Sequence, residues 1–281
     1  MKLFAIEGNP VKLDGGAMFG NAPKELWKKW AVPDDQNRIS LATRCLLVQT
    51  DAGKNILFEA GCGACYDQKF RERFGIDATH FLVNNLAAIG VNPCDIDAVV
   101  LSHLHFDHAG GLLSAFDEGP LRLVFTKAQY YLGKEHWGRA KAPHVRDQAS
   151  FIPLLHALLE QSGRLILLDS QQKNLSGLGM EISLRYSNGH TPGLMLSQIE
   201  LDSGPLFYVA DLVPGMPWMH VPITMGYDRY PEKLIDEKRA LFGDFESVGG
   251  KIFFTHDPQV SCVKVAKDIN GKYFGEIATV G

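Results

Sequence analysis

A chain of 281 residues can bury a large core, and 46% hydrophobic with 21% charged residues is ordinary for a soluble globular protein. The net charge of −4 comes with no long like-charge run, which argues against nucleic acid as the main partner. No apolar run approaches the roughly 20 residues that span a bilayer, Met1-Lys-Leu-Phe-Ala-Ile-Glu7 is too short and too soon charged for a signal peptide, and five scattered cysteines fit a reducing cytoplasm.

In chain order, the patterning predicts a strand at Leu3–Ile6, a helix at Ala22–Trp30, and strands at Leu41–Gln49 and Ile56–Phe58. A helix at Ala78–Ile89, stopped by Gly90, precedes strands at Ala98–Leu101 and Leu121–Phe125. Helices at Lys127–Trp137 and Pro153–Glu160 follow, then strands at Leu165–Leu168, Ile182–Tyr186, Met195–Ile199 and Leu206–Ala210. The last predicted helix, Pro231–Phe242, has a proline suited to its first turn, and a strand at Ile252–Phe254 comes after it. No linker, repeat or low-complexity stretch interrupts this order, so the expectation is one domain over residues 1–281, of a layered α/β or α+β class.

Chemistry concentrates in His103-Leu-His-Phe-Asp-His108, led in by the buried-strand pattern Ala98-Val-Val-Leu101 and led out by Ala109-Gly-Gly111. Two histidines at i and i+2 in extended chain point the same way, so His103 and His105 can hold one ion. Asp107 and His108 face elsewhere, which suits a second ion. Nitrogen and carboxylate donors without cysteine favour zinc or another first-row divalent metal over calcium or magnesium. Three further candidates close predicted strands: His190 in the turn Asn188-Gly-His-Thr-Pro-Gly193, Asp211 after Leu206-Phe-Tyr-Val-Ala210, and His256 after Lys251-Ile-Phe-Phe-Thr255. Five histidines and two aspartates suffice for two metal sites.

In these motifs and in their order, the chain resembles the metallo-β-lactamase fold superfamily of dinuclear metal-dependent hydrolases, over most of its length from Leu46 to His256. Within it, Leu13-Asp-Gly-Gly-Ala-Met-Phe-Gly20 and Met225-Gly-Tyr-Asp228 look closest to the lactonase and methyl-parathion-hydrolase-like branch. The resemblance implies an α+β fold, a four-layer αβ/βα sandwich with the metal site at one edge. It implies that His103, His105 and His190 bind the first metal, Asp107, His108 and His256 the second, and that Asp211 bridges them.

Two positions depart from that pattern. Many members have Asp-Thr-Gly at the end of an early strand, where the Asp supports a metal-binding histidine; this chain has Glu59-Ala-Gly61. Acyl-homoserine-lactone lactonases of this fold place a Tyr three residues after the bridging Asp, where it assists the carbonyl oxygen; here that position is Pro214. Cys62-Gly-Ala-Cys65 is a lone C-x-x-C, read here as structural.

The expected chemistry is that of two divalent metals, zinc foremost with iron, manganese or cobalt as alternatives, about 3.5–4 Å apart and sharing a water that attacks a carbonyl or phosphoryl centre. Asp211 would position the ions, and Asp107 would pass a proton to the leaving group. An apolar pocket is expected from Met18, Phe19, Trp218, His220 and Tyr227, with His220 or Tyr227 standing in for the missing Tyr. His80, His136, His144 and His156 lack such context and read as surface or core residues. The leading function is hydrolysis of small esters, above all lactones, with phosphotriester activity as a side reaction. A glyoxalase-II-type thioesterase and a metal-containing ligand-binding or regulatory protein are the alternatives. The partner expected is a small molecule, with neither nucleic acid nor membrane; Trp27 and Trp30, one helical turn apart, read as packing a helix, with a homodimer contact as the alternative.

Overall fold

The computed structural model describes residues 1–280. Its strands are β1 (Lys2–Ile6), β2 (Val11–Asp14), β3 (Arg38–Leu41), β4 (Cys45–Gln49), β5 (Asn55–Phe58), β6 (Ala98–Val100), β7 (Gln129–Gly133) and β8 (Leu165–Leu168), followed by β9 (Asn174–Leu175), β10 (Ile182–Ser187), β11 (Leu194–Ile199), β12 (Leu206–Tyr208), β13 (Lys251–Phe253), β14 (Cys262–Lys267) and β15 (Tyr273–Ile277). One sheet has the order β1-β4-β5-β6-β7-β8, a second β15-β14-β13-β12-β11-β10-β9, and β2 pairs with β3 alone. The first sheet is parallel from β5 to β8, and in the second only β12 and β13 run parallel. Parallel neighbours need a crossover, and helices supply it: Gln68–Phe74 and Phe81–Ala88 between β5 and β6, and Pro231–Ser247 between β12 and β13.

The layers follow from strand alternation. On β12, Tyr208 stacks on Phe58 of the first sheet, with ring centroids 5.7 Å apart, while its neighbour Phe207 stacks on Phe245 of helix Pro231–Ser247. Helix Phe81–Ala88 packs against β1, and helix Lys134–Lys141 against β7 and β8. Helix, sheet, sheet, helix is the αβ/βα sandwich expected. Among the described residues, no helix is long and apolar enough to cross a membrane.

Several predicted elements need correction. The run Leu41–Gln49 is not one strand: the chain breaks at Ala42–Arg44, where the Ala42 and Arg44 N–H groups donate to the carbonyls of His256 and Thr255 across the sandwich, at 3.2 and 2.9 Å. Leu121–Phe125 keeps only the isolated bridge between Leu113 and Leu123. The predicted helix Lys127–Trp137 begins as β7, because Tyr130 and Leu132 are fully buried between β6 and β8, and only from Lys134 does it become a helix. Helix Ala22–Trp30 shrinks to Lys24–Trp27. The strands β2, β3, β9, β14 and β15, and the helix Gln68–Phe74, lie in stretches whose patterns are too short or too polar to stand out.

The architecture brings one edge of each sheet together. Glu59 follows β5, His103 follows β6, His190 follows β10, Asp211 follows β12 and His256 follows β13, so all five sit just beyond the carboxyl ends of strands.

One buried histidine away from that edge makes a test of acid stability. His156 packs against the rings of Trp137 and Phe151, and burial lowers its pKa to about 4. In the unfolded chain it titrates near 6.5, so between about pH 6.5 and 4 the unfolded state takes up a proton that the folded state refuses, and stability falls with pH over that window. Urea titrations across it should show His156→Phe with an acid slope shallower by about one proton, or about 1.4 kcal/mol per pH unit. An unchanged slope would mean that His156 protonates in place.

Candidate metal centre

Beyond β6 the chain stays extended through His103 and His105, then turns into the short helix Phe106–Ala109 that carries Asp107 and His108. Gly110 and Gly111 let this helix end seat against the Glu59–Cys62 turn. A Cβ on Gly110 would lie 2.2 Å from the Cys62 oxygen, and one on Gly111 2.0 Å from the Ala60 oxygen. The two turns are then laced together by hydrogen bonds from Ala60 N–H to the His108 carbonyl, 2.9 Å, and from Gly111 N–H to the Gly61 carbonyl, 3.0 Å.

All seven predicted ligands converge, and all are buried. His105 Nδ1 lies 3.1 Å from both His103 Nε2 and His190 Nε2. His108 Nε2 and His256 Nε2 face one another at 3.0 Å. Asp211 stands between the two groups: Oδ2 is 3.3 Å from His190 Nε2 and 4.0 Å from His103 Nε2, while Oδ1 is 3.1 Å from His108 Nε2 and 3.0 Å from His256 Nε2. Asp107 Oδ2 completes the second group, 3.5 Å from His256 Nε2.

The outward nitrogens explain why this arrangement fits cations. His256 Nδ1–H donates to the Ala42 carbonyl at 2.7 Å and His190 Nδ1–H to Asp228 Oδ1 at 2.9 Å; His103 Nδ1 lies 2.8 Å from Ser102 Oγ. His108 Nδ1 faces Glu59 Oε2 at 3.3 Å. With a proton on each outward nitrogen, the inward ones present lone pairs to each other and to Asp211. Asp211 Oδ1 has no hydrogen-bond partner although it is buried. Lone pairs and a carboxylate oxygen crowded this closely repel unless positive charge enters among them. Burial, and then the neighbouring imidazoles, push His103 and His105 well below the usual imidazole range, which keeps them neutral and able to ligate. Burial also opposes charge on His108, yet Asp211 and Asp107 pull its pKa well above that range. The cluster thus demands positive charge, as protons or as metal ions. The donor set, imidazole and carboxylate without thiolate, is that of first-row divalent ions.

Residues behind the cluster hold it in place. Glu59 is fully buried; besides facing His108, its Oε1 accepts the Ser102 N–H at 2.6 Å. The longer side chain therefore reaches a histidine of the cluster, which answers the departure from Asp at this position. Glu59 and Ala210 both adopt left-handed backbone, at φ 66° and 43°, costing on the order of 1–3 kcal/mol each. They sit where two strand ends bend toward the cluster. His136, which the sequence left as a bystander, ties two loops together: its Nε2 accepts the Leu104 N–H at 2.9 Å and its Nδ1–H donates to the Pro192 carbonyl at 3.1 Å. Glu237 accepts from Ser187 Oγ and the N–H groups of Asn188 and Gly189, at 2.6, 3.0 and 3.0 Å, fixing the turn that presents His190. Asp228 lay inside a stretch marked by resemblance, but nothing local in the sequence singled out His136 or Glu237. His80 caps a helix, and Cys62 and Cys65 are buried free thiols whose pKa values burial raises, Cys65 to about 11.

A cavity of about 220 Å³ opens onto the cluster, with Asp107, Asp211 and His256 in its floor and Leu13, Met18, Phe74, Phe106, Met225 and Tyr227 in its walls. Of the predicted pocket residues, Met18 and Tyr227 line it. Phe19 does not: it is fully buried, stacked between Trp27 and Trp218 with centroids 5.4 and 4.8 Å away. Trp218 instead supports the wall by donating Nε1–H to the Met18 carbonyl at 3.0 Å. His220 stacks on Trp30 beside a separate cavity of about 890 Å³ that none of the clustered residues lines. Phe19 and Trp218 thus pack behind the pocket because their large rings fill the core under it, and His220 lies at the other cavity.

Loss of metal should follow these contacts. Asp211→Ala should abolish metal binding as read by elemental analysis. Glu59→Gln, which alters the group facing His108, should weaken metal binding by about 10–100-fold in chelator competition. Because ions displace protons here, affinity should fall as pH is lowered; a pH-independent affinity would contradict the charge argument.

The family model of the metallo-beta-lactamase superfamily matches residues 40–256. The chain is 26% identical over 250 residues to the N-acyl homoserine lactonase AiiB of Agrobacterium fabrum, covering 81% of this chain and 86% of that one. Its structure is similar to that of a probable metal-dependent hydrolase from Staphylococcus aureus, with a TM-score of 0.85 and 29% identity over 99% of this chain and 98% of that one. It shares its fold with AidC, a dizinc quorum-quenching lactonase, at a TM-score of 0.78 and 21% identity, covering 99% of this chain and 95% of that one. A cluster of this kind, at this edge of this sandwich and within the span that the model matches, places the chain in the metallo-beta-lactamase superfamily.

Proposed function

We propose that the protein is a metal-dependent hydrolase of small esters, lactones foremost, with phosphotriesters as a secondary substrate class. The observation that carries this reading is the division of the two Asp211 oxygens between two groups of imidazoles at the floor of a cavity with apolar walls. In this reading His103, His105 and His190 hold one ion, Asp107, His108 and His256 the other, and Asp211 both. Bound divalent ions supply Lewis acidity, which acidifies water and polarises a carbonyl. The kinship with an N-acyl homoserine lactonase supports a cyclic ester as the substrate.

The chain's own residues supply the rest. Leu13, Met18, Phe74, Phe106 and Met225 receive the apolar part of the substrate and exclude water around it. Asp107, in the floor of the cavity, carries the proton lost by the attacking water to the alkoxide that leaves as the ring opens. Pro214 gives no hydroxyl; its carbonyl accepts the His256 N–H at 2.9 Å, so this position holds backbone rather than substrate. Tyr227 lines the cavity, and burial, with Asp107 and Asp14 adding to it, raises its pKa to about 12. The phenol keeps its proton at neutral pH and is the donor that can meet the carbonyl oxygen as it gains charge.

The test is initial rates of metal-quantified protein on acyl-homoserine lactones, simple γ- and δ-lactones, an aryl ester, a phosphotriester and S-lactoylglutathione. Lactone turnover should dominate and vanish in Asp211→Ala. Tyr227→Phe should lower kcat by about 100-fold with metal content intact. Dominant thioester turnover would replace the lactone reading with the thioesterase one. Full metal content without turnover on any class would favour a ligand-binding role.

A further inference from the structure

We propose that Arg73 selects substrates bearing a second, anionic oxygen group, a carboxylate at the end of the molecule away from the ester bond. The inference rests on the hydrolase reading above and narrows its substrate class.

Arg73 lies in the last turn of helix Gln68–Phe74 and lines the same cavity as Asp107 and Tyr227. The wall around it is apolar, from Leu13, Met18, Phe74 and Met225. Neighbouring arginines are already engaged: Arg71 pairs with Asp117 at 2.9 Å and Arg38 with Asp34 at 2.9 Å. The exposed Arg73 guanidinium has no ion-pair or hydrogen-bond partner among the described residues; it lies over the Phe74 ring, 5.2 Å from centroid to guanidinium carbon. Its backbone is held, since the Arg73 carbonyl accepts from Arg38 Nη1 at 2.8 Å. A flat fork of donors on an anchored helix end, braced by an aromatic face, is suited to a carboxylate.

Size makes the two ends of the cavity work together. At about 220 Å³ it is smaller than the roughly 300–1,000 Å³ of sites for drug-sized ligands, so it suits a short molecule. With its ester group over the Asp211 cluster, such a molecule has its far end within the same small space as the guanidinium. A long, uncharged acyl chain would offer that exposed cation no partner, whereas a carboxylate would.

The experiment compares a γ-lactone whose side chain ends in a carboxylate with the same compound ending in a primary amide. Both are assayed with metal-loaded wild type, Arg73→Gln and Arg73→Lys. The wild type should favour the carboxylate by about tenfold in kcat/KM, through KM rather than kcat. Arg73→Gln should bring the ratio to about one, and Arg73→Lys should restore part of it. Calorimetric titration with the two ring-opened products should show the same preference without turnover. Equal kcat/KM for both lactones, or a preference surviving Arg73→Gln, would overturn the inference and leave the hydrolase reading standing. No turnover of either lactone by fully loaded protein would overturn both.

Discussion

A carboxylate shared between two sets of imidazole nitrogens is an unstable arrangement in an apolar interior. Asp211 Oδ1 stands 3.1 and 3.0 Å from two ring nitrogens, and those nitrogens are themselves 3.0 Å apart. Positive charge among them, as protons or as metal ions, lets such donors stay this close. Much of the surrounding structure serves to stop them from moving apart. Asp228 hydrogen-bonds His190 from behind, Glu59 faces the His108 ring at 3.3 Å, and His136 and Glu237 pin the loops that carry them. The left-handed residues Glu59 and Ala210 show that the strand ends pay in backbone strain to aim their side chains.

The sandwich supplies the rigidity that this needs. Each contributing loop leaves the carboxyl end of a strand, and the two sheets are tied to each other near the cluster through Ala42 and Arg44, which bond to His256 and Thr255. Ala42 also takes the His256 Nδ1 proton in a hydrogen bond, so a contact between sheets and a contact to the cluster share one residue. A shift of one sheet against the other would therefore disturb His256 directly. Coupling of this kind ties the stability of the sandwich to the geometry of its edge.

The pocket has a different logic. Its apolar walls come from segments far apart in the chain, from Leu13 to Met225, while Arg73, Ser150 and Tyr227 are polar groups placed above the floor. A phenol whose pKa is raised to about 12 is a dependable proton donor at neutral pH, and a free guanidinium is a dependable cation. In the reading proposed above, the two would let the cavity distinguish oxygen atoms at two positions, with hydrophobic contact between.

The cluster itself was legible in the sequence because its signal is local: three histidines and an aspartate within six residues, and three more candidates each closing a strand pattern. The layered class and most strands beside the site were legible for the same reason, since buried strands announce themselves as short apolar runs. Periodicity failed where a segment's partner decided its state, as at Tyr130–Leu132, whose burial between two strands overrides a helical pattern. It also failed for the pocket. Phe19, Trp218 and His220 have the composition of a binding wall, yet whether a ring faces a cavity or fills the core beneath it depends on what packs opposite. His136, Glu237 and Arg73 carry no motif at all. Composition and spacing determine which chemistry the chain can assemble; only the packing of distant segments decides which side chains surround it, because those contacts are set by three-dimensional neighbours that no stretch of sequence contains.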